Sequence, residues 1–279
     1  MKKLYISDLD GTLLGTDSKV SDKSARIISE LSRRGVAITV ATARTPATVD
    51  VLLNDVETDI PAIVMTGAAL WDRKTHRYID PILLPTDVSA RAVEAFGAEG
   101  VNPFVYILGD TGKLEVCHAS TLNRCEDAFY QPRRRLAGKR FILDDSDIRL
   151  ATPPAETILI FATGDAPKIE AVAERLKSID SLSVSCYRDI FDRSTANIEV
   201  FGAGVSKAAA IKRLATLIGA DHVTVYGDNL NDLSMFEVAD ESVAVANAVD
   251  EVRSKADRII GANSDDAVAA DILRQEAGR

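Results

Sequence analysis

The uncharged run Val36-Ala37-Ile38-Thr39-Val40-Ala41 constrains the fold most strongly. A strand with one wet face alternates apolar and polar residues, whereas a run apolar on both faces must be covered on both, as in parallel α/β sheets. Its neighbours fit that requirement. Leu4 and Ile6 open a shorter strand that stops at the turn signal Gly11-Thr12. Ser21 to Arg34 carries Ala25, Ile28 and Leu31 at helical spacing, with Gly35 as its C-terminal cap. Thr45 is placed to cap the next helix, Pro46 suits its first turn, and Val49, Leu52, Leu53 and Val56 form its apolar stripe. Ala62 to Met65 reads as a third strand. This alternation predicts a doubly wound, Rossmann-like parallel sheet, with ligands outside the C-terminal strand ends.

The pattern changes near Pro85. A helix with Val88, Ala92, Val93 and Phe96 precedes a hairpin, Phe104 to Leu108 and Leu114 to Cys117, turning through Gly109-Asp110-Thr111-Gly112. A similar order returns when Asp165-Ala166-Pro167 opens a helix followed by strands at Leu182 to Cys186 and Asn197 to Phe201. From Lys207 the first pattern resumes, with a helix, the strand Val223 to Tyr226, a further strand Ser242 to Ala246 and a helix after Asp265. The expectation is a core formed by residues 1–83 and 200–279, interrupted by an α+β domain at 84–199 with a loose internal duplication. Gly202 and Gly204 read as a flexible return linker.

A chain of 279 residues, 46% hydrophobic, can bury a full core. Its net charge of −9 argues against a general nucleic-acid binder, whose affinity rests on excess Lys and Arg, so any bound phosphate must be held locally. Asp8 breaks the apolar run after Met1-Lys2-Lys3 before a signal sequence forms, and no stretch reaches membrane-spanning length. A cytoplasmic protein without membrane or nucleic-acid partners is expected. Cys117, Cys125 and Cys186 are odd in number and lack CxxC spacing, which predicts reduced, buried thiols. His76, His118 and His222 lack metal-ligand spacing. Arg133-Arg134-Arg135 with Lys139 and Arg140 reads as a solvated basic face or an edge that attracts anions, and Trp71 as a packing residue.

Four polar elements fall at strand ends or helix starts: Asp8-Leu9-Asp10-Gly11-Thr12, the Thr42 of Val-Ala-Thr-Ala-Arg, Lys207, and Gly227-Asp228-Asn229-Leu230-Asn231-Asp232. If the first strand continued, alternation would send Asp8 and Asp10 to the same side, where two carboxylates would resist ionising without a compensating charge. Together and in this order, the four elements resemble the haloacid dehalogenase superfamily of aspartate-nucleophile phosphatases. The large insertion and the later Val-Ala-Asn-Ala-Val-Asp run are most similar to Cof-type members, whose cap domain lies between the second and third motifs.

The resemblance implies a Mg2+-dependent phosphatase acting on a small phosphate ester, a sugar or polyol phosphate first. Asp8 would be the nucleophile and Asp10 the general acid and base. Mg2+ would be held by Asp8, the Asp10 carbonyl and Asp228, with Asp232 bound directly or through water. The backbone at Leu9 and Ala43, the Thr42 hydroxyl, Lys207 and Asn231 would hold the phosphate. Thr42-Ala43-Arg44 and Thr66-Gly67-Ala68 depart from the family's Thr-Gly-Arg and Asn-Gly-Ala, making Arg44 and Thr66 candidate substrate residues. A phosphomutase would retain the same motifs but exclude water. A receiver-like regulatory domain fits less well, because a long-lived phosphoaspartate gains nothing from an acid at Asp10. The expected assembly is a monomer or small homo-oligomer.

Overall fold

The computed structural model describes residues 1–109, 113–189 and 192–278. They divide into two compact units, Met1–Asp80 with Ser206–Arg279, and Pro81–Val205. The first half of the outer unit runs β1 (Lys3–Ser7), α1 (Asp22–Arg33), β2 (Ala37–Val40), α2 (Pro46–Leu52), β3 (Ala62–Val64), β4 (Ala69–Asp72) and β5 (Arg77–Ile79). The inserted unit follows with α3 (Thr86–Ala98), β6 (Phe104–Leu108), β7 (Leu114–His118), α4 (Arg124–Tyr130), β8 (Lys139–Leu143), β9 (Thr157–Asp165), α5 (Ala166–Leu176), β10 (Leu182–Arg188) and β11 (Thr195–Gly202). The outer unit then closes with α6 (Lys207–Ile218), β12 (His222–Gly227), α7 (Leu233–Phe236), β13 (Glu241–Ala244), α8 (Asp250–Lys255), β14 (Arg258–Ile259) and α9 (Ala267–Ala277).

In the outer unit β14-β13-β12-β1-β2 form one parallel sheet. Helices cover both faces. Leu4 and Ile6 of β1 join Ala210, Ile211 and Leu214 of α6 in one apolar layer. On the opposite face, the Tyr5 hydroxyl donates to Glu276 of α9 at 2.7 Å. Helix α1 begins at a capping serine, the Ser21 hydroxyl accepting the Ser24 N–H at 3.0 Å.

Two expectations here need correction. Ala62–Val64 is not a full member of the parallel sheet: it touches β2 through one parallel bridge, Ala41 to Ile63, and otherwise pairs antiparallel with β4, which pairs with β5. The chain turns straight back because Met65, Thr66 and Gly67 all take left-handed φ values, leaving no room for a crossover helix. Thr45 does not cap α2 with its side chain. The Thr48 N–H already goes to the Thr45 carbonyl at 2.9 Å, and the buried hydroxyl has no hydrogen-bond partner among the described residues.

The inserted unit is a six-stranded sheet ordered β10-β11-β9-β6-β7-β8, antiparallel except for the β7–β8 pair. Helices α3 and α5 pack Val88, Ala92, Phe96, Ile169 and Val172 against Ile160, Ala162, Ile198 and Val200 on one face. On the other face α4 sets Phe129 against Phe104 and Phe161, with ring centroids 5.2 and 4.7 Å apart. Residues 110–112 of the expected hairpin turn lie outside the described residues. The repeated helix–hairpin order is present as α3-β6-β7 and α5-β10-β11, separated by α4, β8 and the nine-residue strand β9.

Gly202 is no linker but the last residue of β11, paired with Leu182. The thiols are not uniformly buried either: Cys117 is buried, Cys125 half-buried and Cys186 exposed, because β10 is an edge strand with both faces open along much of its length. His118 is fully buried, with its ring nitrogens 2.8 and 3.0 Å from the Ala119 and Asn102 carbonyls and its ring stacked on Phe104. Trp71 packs, and its Nε1–H donates to Asp50 at 2.9 Å. No helix among the described residues is long and apolar enough to cross a membrane.

Behind the parallel sheet, Asp271 of α9 accepts hydrogen bonds from Tyr226 at 3.1 Å, Arg258 at 3.0 and 2.9 Å, and Gln275 at 3.1 Å. Removing one partner of such a buried set leaves the others desolvated and unpaired. Asp271→Ala is therefore expected to lower stability by about 3 kcal/mol in urea unfolding, and Asp271→Asn by less.

Candidate active site

Three neighbouring parallel strands deliver the polar residues to one edge of the sheet. Asp8 follows β1, Thr42 lies beyond the end of β2, and Asp228 follows β12. Lys207 is the first residue of α6, whose N-terminus is fixed by the Ser206 hydroxyl accepting the Ala209 N–H at 3.0 Å. Its Nζ donates to Asp8 Oδ1 at 2.5 Å and to Asp232 Oδ1 at 2.8 Å. All three are nearly solvent-free, at 3%, 6% and 0% exposure for Lys207, Asp8 and Asp232. Burial opposes the lysine's charge, but the two carboxylates outweigh it and hold the ammonium above its ordinary range.

One carboxylate oxygen from each of Asp8, Asp228 and Asp232 falls within 4.8 Å of the others. Such an all-oxygen set suits a hard divalent cation such as Mg2+. The two later acids are oriented differently. Asp228 Oδ1 accepts the Thr12 hydroxyl at 2.8 Å. Asp232 uses Oδ2 to accept the N–H groups of Asp228 and Asn229, at 3.0 and 3.2 Å, and Oδ1 to accept Lys207. Both of its oxygens are therefore engaged by the chain itself.

Asp10 lies elsewhere. β1 ends at Ser7, and a wide turn over Leu9–Leu13 follows, closed by Leu13 N–H to the Asp8 carbonyl at 3.3 Å and Leu14 N–H to the Leu9 carbonyl at 2.9 Å. Strand alternation thus stops before it can pair the two acids. The Asp10 side chain, 51% exposed, receives both arms of Arg44, Nε at 2.7 Å and Nη2 at 2.5 Å. The acids that crowd Asp8 are Asp228 and Asp232. Gly11 makes this turn possible: its φ is +80°, and a Cβ there would stand 2.3 Å from Asp228 Oδ2.

The other residues singled out in the sequence are distributed as follows. Thr42 is buried, its hydroxyl accepting the Arg44 N–H at 3.1 Å, while Ala43 is exposed. Leu9 is fully buried, leaving its backbone as its polar part. Thr66 sits in the left-handed turn after β3, and its N–H donates to the Thr42 carbonyl at 3.0 Å. That turn lies against α6, since a Cβ on Gly67 would come within 2.3 Å of the Ser206 carbonyl oxygen. Asn231 is exposed on the loop after β12, and its side chain makes no hydrogen bond among the described residues.

Sequence reasoning missed two supporting groups. Thr12 orients Asp228, a role hidden because Gly11-Thr12 reads as a turn signal. Asn247 donates to the Gly11 carbonyl at 2.8 Å and accepts the Asn263 N–H at 2.9 Å, tying the turn after β1 to the loop after β13. The Val-Ala-Asn-Ala-Val run contains that asparagine, but nothing in its spacing says where the amide reaches.

The parallel strand order, with aspartates at the strand ends and a lysine from a helix start, defines an α/β protein with an acidic cluster and a buried lysine at one edge of its sheet. Residues 5–272 match the family model of haloacid dehalogenase-like hydrolases, and the chain belongs to that family. It is 27% identical over 283 residues to the 5-amino-6-(5-phospho-D-ribitylamino)uracil phosphatase YwtE of Bacillus subtilis, covering 96% of each chain. It is 23% identical to the pyridoxal phosphate phosphatase YbhA of Escherichia coli, covering 94% of each. A solved haloacid dehalogenase-like hydrolase from Bacteroides thetaiotaomicron shares the fold with a TM-score of 0.79 at 24% identity, over 99% of this chain and 100% of that one. The chain is accordingly a hydrolase whose named relatives are phosphatases.

Burial lifts the Asp8 carboxyl to about 7 against the attraction of Lys207, and lifts Asp228 to about 6 against its Thr12 hydrogen bond. Both folded values lie above the ordinary 3.8, so between them the folded chain holds protons that the unfolded chain has released. The stability they contribute is present at low pH and lost as pH rises through the folded values. In EDTA, Tm is expected to fall between about pH 5 and about pH 7, and to fall less in Asp228→Asn. A flat profile shared by both proteins would contradict this.

Proposed function

We propose that the protein is a Mg2+-dependent phosphatase that hydrolyses small phosphorylated metabolites, sugar or polyol phosphates first, through an aspartyl-phosphate on Asp8. The observation that carries this reading is the buried Lys207 between Asp8 and Asp232, with Asp228 beside them. A phosphate monoester is a dianion, so a carboxylate nucleophile can approach it only where cations offset both charges. Asp8, Asp228 and the Asp10 carbonyl would hold Mg2+, which would supply positive charge to offset that of the carboxylate and the phosphoryl group. Asp232, with both oxygens already engaged, acts through water and by fixing Lys207.

The chain's own groups do the rest. Asp8 Oδ forms the bond to phosphorus as the ester bond breaks, and Asp10 gives its proton to the departing alkoxide. Asp10 then takes a proton from the water that attacks the phosphoaspartate, returning Asp8 and releasing phosphate. Lys207, Thr42, Asn231 and the N–H groups at Leu9 and Ala43 hold the phosphoryl oxygens, while Arg44 holds Asp10 in place. We assign substrate selection to the inserted residues 84–199, with Arg44 and Thr66 contributing from the outer unit. The named relatives act on a phosphorylated ribityl compound and on pyridoxal phosphate, both small esters, which supports the substrate class.

The test is a panel of phosphorylated metabolites assayed for phosphate release with Mg2+ and with EDTA. Release from at least one small ester is expected with Mg2+ and none in EDTA. Asp8→Asn should reduce turnover by several orders of magnitude while the circular dichroism spectrum stays native, because it removes covalent catalysis itself. Near-normal activity in that folded variant would sink the assignment.

Asp10→Asn provides a separate test. It should slow a sugar phosphate far more than p-nitrophenyl phosphate, whose leaving group needs little protonation. Equal losses on both substrates would argue against the acid role of Asp10.

A further inference from the structure

One end of the inserted sheet is left undefended by its sequence. β10 is the last strand of the six, and its seven residues pair in unbroken register with β11, from Leu182 with Gly202 to Arg188 with Ala196. Exposed edge strands normally carry a charge, a proline or a bulge that deters a further strand. From Leu182 to Tyr187 β10 has none of these, and Val184, Ser185, Cys186 and Tyr187 are exposed. Other edges among the described residues differ. β8 opens with Lys139 and Arg140, β5 and β14 are three and two residues long, and β2 and β3 meet through the bridge from Ala41 to Ile63.

Two hydrogen bonds fix the direction of the strand's polar groups. The Asp189 N–H donates to the Thr195 carbonyl at 2.9 Å, and on the other side of β11 the Ala166 N–H donates to the Ser194 carbonyl at 2.8 Å. Alternation along an antiparallel ladder then turns the N–H and C=O groups of Ser183, Ser185 and Tyr187 toward β11, and those of Leu182, Val184 and Cys186 outward. Val184 and Cys186 pair with Val200 and Ile198, so their side chains share the face that α5 covers. There Leu182, Val184 and Cys186 border an open groove of about 460 Å³, lined also by Ala173 and Leu176 of α5 and by Ile179.

A strand that docks on this edge must place apolar side chains at alternate positions on the α5 face and bring no charge to its middle. β10 itself meets both conditions. A two-fold axis perpendicular to the sheet would set β10 of one copy antiparallel to β10 of the other, so that outward N–H groups meet outward carbonyls and both α5 helices fall on the same face, closing the two grooves on each other. With Val184 opposite Val184 of the second copy, Leu182 faces Cys186 and Asp180 approaches Arg188 at each end. The charges are complementary there. Asp180 is exposed and has no ion-pair partner among the described residues, while Arg188 gives Nε and Nη2 to Glu170 at 2.7 and 3.0 Å but leaves Nη1 only a 3.5 Å contact with the Arg193 carbonyl.

We propose that β10 is a dimerisation edge: a second copy of this chain adds its own β10 antiparallel, joining the two six-stranded sheets into one. Dimerisation of this kind does not rest on turnover at Asp8.

The test is sedimentation velocity of the full-length protein over a series of micromolar concentrations, with Val184→Lys and Val184→Pro run in parallel. Lysine sets like charges at the seam, and proline removes an outward N–H without taking a bond from the β10–β11 ladder. A dimer is expected for the wild type, and a monomer with a native circular dichroism spectrum for both variants. Amide hydrogen exchange, read residue by residue, needs no variant: the Leu182, Val184 and Cys186 amides should slow as protein concentration rises. A wild type that stays monomeric overturns the proposal and leaves the edge to a strand from another protein. A dimer that survives in either folded variant, or that forms while the three outward amides exchange as before, places the interface elsewhere and overturns it as well. Should neither variant fold, the exchange measurement decides alone.

Discussion

The buried ammonium of Lys207, shared by Asp8 and Asp232, is the interaction on which the outer unit depends. Its partners come from distant parts of the chain: Asp8 is 199 residues away in sequence, and Asp232 is 25. None of the three charges can be buried alone, because an unpaired ion in a low-dielectric interior costs several kcal/mol. The pairing therefore requires β1, α6 and the loop after β12 to meet. Buried ion pairs contribute little net stability, since desolvation consumes most of the attraction, but they reject alternative arrangements in which a charge is left without its partner. With Asp228 added, three carboxylates face one ammonium; burial lifts Asp8 and Asp228 out of the ordinary carboxylate range, and the neighbouring Asp232 adds to it.

Holding so many acids together demands close backbone approach, and two glycines provide it. Gly11 lets the turn after β1 pass against Asp228, and Gly67 lets the turn after β3 pass against the start of α6. Each has a positive φ, so a side chain would be excluded by conformation as well as by contact. Thr12 and Asn247 then fix what the glycines allow, one by holding the Asp228 carboxylate and the other by holding the Gly11 carbonyl. The neighbourhood of Asp8 is thus set by a turn, two glycines and two hydroxyl or amide donors.

Much of this was legible in the sequence, for a physical reason. Parallel strands covered on both faces leave long apolar runs, and a polar residue at the end of such a run stands out, as Asp8, Thr42 and Asp228 do. Lys207 was found at a helix start, by its order among the other polar elements. Groups whose role depends on direction rather than position were not legible. Asp10 was expected beside Asp8, yet the turn carries it to Arg44, and no periodicity rule extends past the end of a strand. β3 was read correctly as extended, but its antiparallel partner β4 and the next strand β5 are four and three residues long, too short for an alternating pattern to register. β8 and β9 were missed: β8 opens with Lys139-Arg140, and β9 is buried along nearly its whole length, so neither shows an alternating pattern. β8 is fixed by its ladder to β7 and β9 by its ladders to β6 and β11, long-range contacts that propensity does not encode.

The distribution of charge bears directly on what can reach this chemistry. A chain with net charge −9 repels a polyanion as it approaches, and that repulsion acts over about 8 Å at physiological ionic strength. Inside that distance the two cations are themselves paired, Lys207 with Asp8 and Asp232 and Arg44 with Asp10. A compact phosphate ester brings one dianionic group and meets little of the long-range repulsion. A nucleic acid would bring a row of charges and add repulsion from each acidic patch along its length. The net charge and the paired cations thus act on two different length scales.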